Sequence, residues 1–123
     1  KPVVTTQDVG NAREVVRSVY VDEKIEQYIS DIVFCTHYPE KYGLKEIQDY
    51  IEFGGSPRAS IILALAARAY AFLKHRGYVI PEDVRAVAHD VLRPRLGLTY
   101  EAEANNVTCE ELVSQIVNKV EVP

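Results

Sequence analysis

The sequence predicts an all-α protein, a compact bundle of about five helices. Four segments repeat apolar residues at helical spacing, which places them on one helix face, and a fifth segment, residues 56–76, is apolar on nearly all sides. These segments are bounded by capping residues, prolines or glycines, which begin and end helices. No pair of strands is convincing, and only residues 96–100 alternate enough to predict one short extended segment. A chain of 123 residues is long enough to bury one core, and its composition is that of a globular domain.

The first two helices are predicted from Gln7 to about Val19 and from Asp22 to about Thr36. Valines form the apolar face of the first helix, which Thr5 or Thr6 can cap. Gly10 and the β-branched residues weaken this helix, so packing must hold it. The second helix has an acidic cap and a continuous apolar face, and it ends before Pro39.

The longest apolar stretch, residues 56–76, predicts a central core helix. It follows a short apolar element at residues 44–53 and the Gly54–Gly55 pair. Ser56 is a good N-cap, and a proline at the next position suits the start of a helix. Apolar side chains surround most of the helix, including Leu65 in its middle, and such helices are normally buried on all sides. Gly77 is the expected left-handed cap at its end.

Two further helices complete the predicted bundle. One begins at Pro81, has acidic residues in its first turn and stops at Pro94. Residues 95–107 have no helical period. Thr108 and Glu111 then form a capping box that opens the last helix.

Arg58 is the oddest residue of the sequence, because it lies in the first turn of the central helix. The helix dipole is positive there, and no acidic residue accompanies the arginine. Unpaired N–H groups, a permanent positive charge and two preceding glycines together describe a site for an anion. The alternative is that Arg58 pairs with a distant carboxylate or points into water, as most surface arginines do.

Other groups that could carry chemistry have simpler explanations. The histidines, His37, His75 and His89, lack the spacing of metal ligands, so no metal site is expected. Cys35 and Cys109 follow no metal or disulfide pattern and are expected to be reduced thiols. There is no phosphate-loop or dinucleotide-binding motif and no GxSxG sequence, and Ser56 has no nearby histidine to activate it.

Charged groups elsewhere also favour ordinary roles. Glu101 and Glu103 could act as paired carboxylates, but exposed charge is the simpler interpretation. Arg93 and Arg95 follow a helix end, where cations complement the terminal carbonyls.

Residues 68–92 could pass for a helix-turn-helix motif that binds DNA, yet the second helix is acidic, which is the wrong sign of charge for the major groove. With a net charge of −4, we expect neither nucleic acid nor an anionic membrane as the main partner. No stretch is apolar enough to span a membrane.

Several motifs together resemble a known family. The sequence FGGSPRAS at residues 53–60 is followed by GYVIPEDVRAVAHDVLRPRL at 77–96 and LTYEAEA at 98–104; VYVDEKIEQYISDIV precedes them at 19–33. This series resembles the C-terminal helical lid of MoxR-type AAA+ ATPases over essentially the whole chain. Ile80 departs from the family pattern, which commonly has a capping threonine there.

The resemblance implies a role for Arg58. It would be the sensor-2 arginine, which reaches the γ-phosphate of ATP and contributes to its hydrolysis, with Ser56 and Pro57 beside the phosphates. ATP and Mg²⁺ would be cofactors of the full-length protein, and the fragment alone is expected to bind neither tightly and to hydrolyse no ATP. The partners would be the AAA+ core domain of the same chain and neighbouring subunits of a ring. Clients with von Willebrand factor A domains would be remodelled in a chaperone-like way.

The chain contains no methionine and begins Lys-Pro, so residues 1–123 are expected to be one lid domain from a longer, cytoplasmic protein whose nucleotide-binding core lies elsewhere. The alternative function is a free-standing helical protein–protein interaction module without a nucleotide role. In that case Arg58 is only a surface charge.

Overall fold

The computed structural model describes residue 3 and residues 5–123, without the side chain of Phe53. Its α-helices are α1 (Thr6–Ser18), α2 (Glu23–His37), α3 (Pro57–Leu73), α4 (Pro81–Leu92), α5 (Tyr100–Ala104) and α6 (Cys109–Lys119). Short 3-10 helices span Pro39–Tyr42, Lys45–Tyr50 and Arg93–Arg95. Strand β1 (Ile51–Phe53) pairs with β2 (Gly97–Leu98) in an antiparallel two-stranded sheet. The predicted all-α class is confirmed.

The core lies between α2, α3, α4 and α6. Its largest fully buried apolar side chains are Tyr28, Ile32, Ile47, Leu63, Leu92, Leu112 and Ile116. Helix α3 packs most extensively on α4. It contributes Ala59, Leu63, Ala67 and Ala71 to the buried side, and alanines at this spacing let a neighbouring helix approach closely. The core therefore fixes one side of α3 firmly.

The prediction that α3 is buried all round is wrong. Leu65, expected in the core, is 47% exposed, and the exposed fractions of Ile61 and Leu73 are larger still. The physical reason is that α1, which lines a groove with Leu65 and Leu73 on this side, packs loosely there and buries none of its own residues. The side of α3 that faces away from α4 is therefore a partly open apolar surface.

Local capping agrees with the sequence at two helix starts and differs at the start of α2 and the end of α3. Thr5 and Asp8 form a reciprocal capping box, and Thr108 accepts from the Glu111 N–H at 3.2 Å, whereas Asp22 occupies the N-cap position of α2 without a side-chain capping hydrogen bond. The left-handed residue after α3 is His75, with φ of 61°, rather than Gly77. The N–H of Arg76 bonds back to the Ala71 carbonyl at 2.9 Å, which closes a Schellman motif two residues earlier than expected.

Residues 95–107 contain a helix that the sequence did not predict. Thr99 caps α5 by accepting from the Ala102 N–H at 3.2 Å. Five residues are too few to show a period, so this helix is recognisable only from its cap. The extended segment is confirmed at β2, but the expectation of no strand pair is wrong, because Ile51 lies opposite Leu98.

An ion pair between the buried Asp83 and the partly buried Arg76 holds the start of α4. Asp83 is fully buried, and its carboxylate accepts from Arg76 at 2.6 and 2.7 Å and from the Ile80 N–H at 2.8 Å. Ile80 has no side-chain oxygen with which to cap α4, and the Asp83 N–H bonds to the Ile80 carbonyl at 3.0 Å instead. The hydrogen bond that Arg76 donates to Asp83 raises the pKa of Arg76. Asp83 thus ties both Ile80 and Arg76 to the first turn of α4.

We expect Asp83→Ala to destabilise the chain by about 1–3 kcal/mol, because it leaves the partly buried Ile80 N–H and Arg76 guanidinium without their acceptor. Asp90→Ala is the matched control on the same helix. The Asp90 side chain is 81% exposed and pairs with Arg93 at 3.3 Å, so its loss should cost about 0–1 kcal/mol. Urea unfolding followed by circular dichroism measures both changes, and equal costs would contradict the role given to Asp83.

Candidate functional site

Arg58 lies on the surface at the first turn of α3. Its side chain is exposed, and it forms no ion pair with any residue that the structure describes. The described ion pairs instead use Arg76 and Arg93. The guanidinium therefore keeps its charge and its donors available at the helix end.

The rest of this first turn is open as well. Ser56 and Pro57 are exposed, and the Ser56 side chain makes no capping hydrogen bond. The Ser56 carbonyl accepts from the Ala59 N–H at 2.8 Å, and the turn has no acidic residue. An uncapped helix start with a cation beside it carries positive potential that suits an anion such as phosphate.

The chain before α3 is fastened to the end of α2. The N–H of Gly55 donates to Thr36 Oγ1 at 2.9 Å, and the His37 ring contacts the Gly55 carbonyl. The sequence analysis missed Thr36 and His37 as parts of the site. The only signal was the Gly54–Gly55 pair, which can indicate close backbone approach but does not say to what.

The other candidate residues do not assemble into a site. The ring of His89 contacts Ser114 Oγ at 2.9 Å on α6, and no three His, Cys, Asp or Glu side chains of the described residues cluster as a metal site. Glu101 and Glu103 are exposed on α5. Arg95 donates to the Val91 carbonyl at 2.9 Å, which confirms its predicted capping role. Arg93 instead pairs with Glu110 at 2.7 Å.

The cysteines are poor nucleophiles. Both are free thiols, and Cys35 is fully buried. Burial, with smaller contributions from Asp31 and Glu40, raises the pKa of Cys35 to about 12. Burial also raises the pKa of Cys109. Because the thiolate is the reactive form, neither group is suited to nucleophilic chemistry at neutral pH.

Comparison with known families identifies the family of this fold. Residues 45–116, which include the start of α3 and all of α4, match the model of the AAA lid domain. The chain belongs to the AAA lid domain family. The matched residues cover much of the helical core described above, and they include Arg58.

Relatives of this lid domain identify its type. It is 37% identical to Chaperone MoxR1 of Mycobacterium tuberculosis over all 123 residues, which are 33% of that protein. It is 36% identical to the protein YeaC of Bacillus subtilis, again over the whole chain and 36% of that protein. It is also similar to a solved putative ATPase from Cytophaga hutchinsonii, with a TM-score of 0.95 and 39% identity, over the whole chain and 37% of that protein. The resemblance to MoxR-type AAA+ lids is confirmed.

The lid domain spans about a third of the length of the relatives that it matches. In the part of the chain that the structure describes, no helix is both long enough and apolar enough to cross a bilayer.

Proposed function

We propose that this lid domain supplies Arg58 to the phosphates of ATP in a MoxR-family AAA+ ATPase and couples the state of the nucleotide to the position of the lid. One observation carries the proposal. Arg58 is exposed at an open helix start, and no acidic residue that the structure describes pairs with it. A permanent cation is unfavourable in the positive potential of a helix start, and an anion from outside the domain would neutralise both charges.

The chemistry follows from the guanidinium group. It is planar and always charged, and it donates forked hydrogen bonds to phosphate oxygens. Placed beside the γ-phosphate, it stabilises the charge that develops on the transferring phosphoryl group. A charged contact of this kind contributes about 1.5–3 kcal/mol, which corresponds to roughly a tenfold to a hundredfold change in rate. Ser56 and Pro57 are exposed beside Arg58 and border the approach of the phosphate to its guanidinium.

ATP and Mg²⁺ are held by a nucleotide-binding core outside this chain in the proposed assembly. The core of the same protein and those of neighbouring subunits are the partners of the lid, in an oligomeric, cytoplasmic ATPase. Similarity to a chaperone supports a chaperone-like action of the whole protein on other proteins. Proteins with von Willebrand factor A domains are the proposed clients.

Steady-state ATP hydrolysis by the full-length parent and by this chain alone tests the proposal. The full-length protein should hydrolyse ATP in the presence of Mg²⁺, whereas the lid alone should not, because Arg58 can stabilise charge but cannot by itself hold the nucleotide or the metal. A full-length protein without ATPase activity would contradict the proposal.

The alternative function, a protein-interaction module without a nucleotide role, is supported by the open side of α3. A groove of about 600 Å³ lies between α1 and α3, lined by residues that include Val9, Val16, Leu65 and Phe72. Such a groove can receive a partner. The parent gene separates the two functions: a phosphate-loop sequence upstream of Lys1 supports the ATPase lid, and its absence favours the module.

A further inference from the structure

The backbone just before α3 is clamped by two side chains at the end of α2. Thr36 is 1% exposed, and its hydroxyl donates to the Val33 carbonyl at 2.6 Å while accepting from the Gly55 N–H at 2.9 Å. The Nε2–H of His37 donates to the carbonyl of the same glycine. Both backbone groups of Gly55 are therefore held by neighbouring residues of α2. We call Thr36, His37, Gly54 and Gly55 the α2–α3 clamp.

The clamp also depends on the lack of a side chain at Gly54. A Cβ added there would lie 2.6 Å from Thr36 Oγ1 and 2.9 Å from the carbonyl carbon and oxygen of Thr36. Two of these three atoms belong to the backbone and cannot turn aside. The loop can approach α2 this closely only with glycine at position 54, so even a methyl group would push the loop away.

Arg58 follows the clamp by three residues, and the intervening residues leave little freedom. Pro57 has a fixed φ, and the Ala59 N–H bonds to the Ser56 carbonyl, so the first turn moves with the loop. The buried face of α3, which begins at Ala59, fixes the remainder of the helix. Among the described hydrogen bonds, those of the clamp and those within α3 are the ones that hold the exposed first turn.

We infer that Thr36 and His37 are positioning residues for the reaction: they set where the Arg58 guanidinium stands and so determine how well it meets the transferring phosphate. This inference rests on the proposed function of Arg58. A displacement of about 1 Å at a group that stabilises a transition state can cost up to roughly a hundredfold in rate. Because Arg58 acts on charge that develops in the transition state, loosening the clamp should lower kcat and leave KM for ATP nearly unchanged.

The test is a double-mutant cycle in the full-length ATPase, with Thr36→Val and Arg58→Ala made singly and together. Thr36→Val removes the hydroxyl at nearly constant volume, and we expect it to lower kcat by about threefold or more. In the Arg58→Ala background the same change should have almost no effect on kcat, because the group that the clamp positions is gone. A merely structural role would lower kcat equally in both backgrounds. Thr36→Ser, which keeps the hydroxyl, should restore most of the activity, and His37→Ala should give a smaller loss of the same kind.

A glycine pair gives an independent version of the test if Thr36→Val does not fold. Gly54→Ala should lower kcat because its methyl group displaces the loop. Gly10→Ala in α1, where an added Cβ has no atom within 4 Å, is the matched control and should leave kcat unchanged.

The outcomes separate the two proposals. If Arg58→Ala itself leaves kcat unchanged, the proposed function fails and the clamp proposal fails with it. If Arg58→Ala lowers kcat but the clamp variants leave kcat unchanged, only the clamp proposal is overturned. The same holds if the clamp variants lower kcat by the same factor in the presence and in the absence of Arg58.

Discussion

Replacing Arg58 by alanine in the full-length protein is expected to lower kcat for ATP hydrolysis by about tenfold or more, a loss of roughly 1.4 kcal/mol or more of transition-state stabilisation. The lid should remain folded, because the Arg58 side chain is exposed and makes no ion pair with the described residues. Steady-state ATP turnover measures the change, and thermal unfolding of the same variant checks the fold.

Two further variants sharpen this prediction. Arg58→Lys keeps the charge but loses the forked donor geometry, so it should recover only part of the activity. Arg68→Ala removes the same charge from the same helix about 15 Å further along, and it should leave turnover within about twofold of the parent. Turnover that falls equally in Arg58→Ala and Arg68→Ala would indicate a general charge effect and contradict a specific role for Arg58.

Leu63→Ala is expected to have the largest effect on stability, a loss of about 2–5 kcal/mol in the free energy of unfolding. Leu63 is fully buried on the side of α3 that packs against the core, and its truncation leaves a cavity there. Urea unfolding of this chain, followed by circular dichroism, measures the loss.

Leu65→Ala is the matched control for Leu63→Ala, two residues away on the same helix. Because Leu65 is 47% exposed, the same truncation should cost about 1 kcal/mol or less. The sequence predicts Leu65 in the core, which would make its truncation as costly as that of Leu63. Equal losses for the two leucines would contradict the packing of α3 in the structure.

The helices that the sequence predicts best are those with one clear apolar face. Helices α2, α4 and α6 each bury a stripe of side chains, and they begin directly after Asp22, at Pro81 and directly after Thr108, as predicted. Helix α3 misleads because a uniformly apolar sequence has no periodicity to show which side faces the core. Only the packing partners decide that Leu63 is buried and Leu65 is not.

Part of the candidate site could be predicted from the sequence, and part could not. Arg58 could be singled out from the sequence because a cation at a helix start conflicts with a local rule, the helix dipole. Thr36 and His37 could not, because they contact Gly55 across 19 and 18 positions of the chain. No pattern along the sequence shows that the end of one helix closes on the loop before the next. Likewise, the Ile51–Leu98 pairing joins segments too short and too far apart for alternation to predict.

A structure of the full-length assembly with a non-hydrolysable ATP analogue and Mg²⁺ tests the central claim most directly. We expect an Arg58 guanidinium nitrogen within about 3 Å of a γ-phosphate oxygen, a charge-assisted hydrogen bond made either within one subunit or to its neighbour. An Arg58 side chain that faces bulk water or pairs with a carboxylate of the core, away from every nucleotide, would contradict the account.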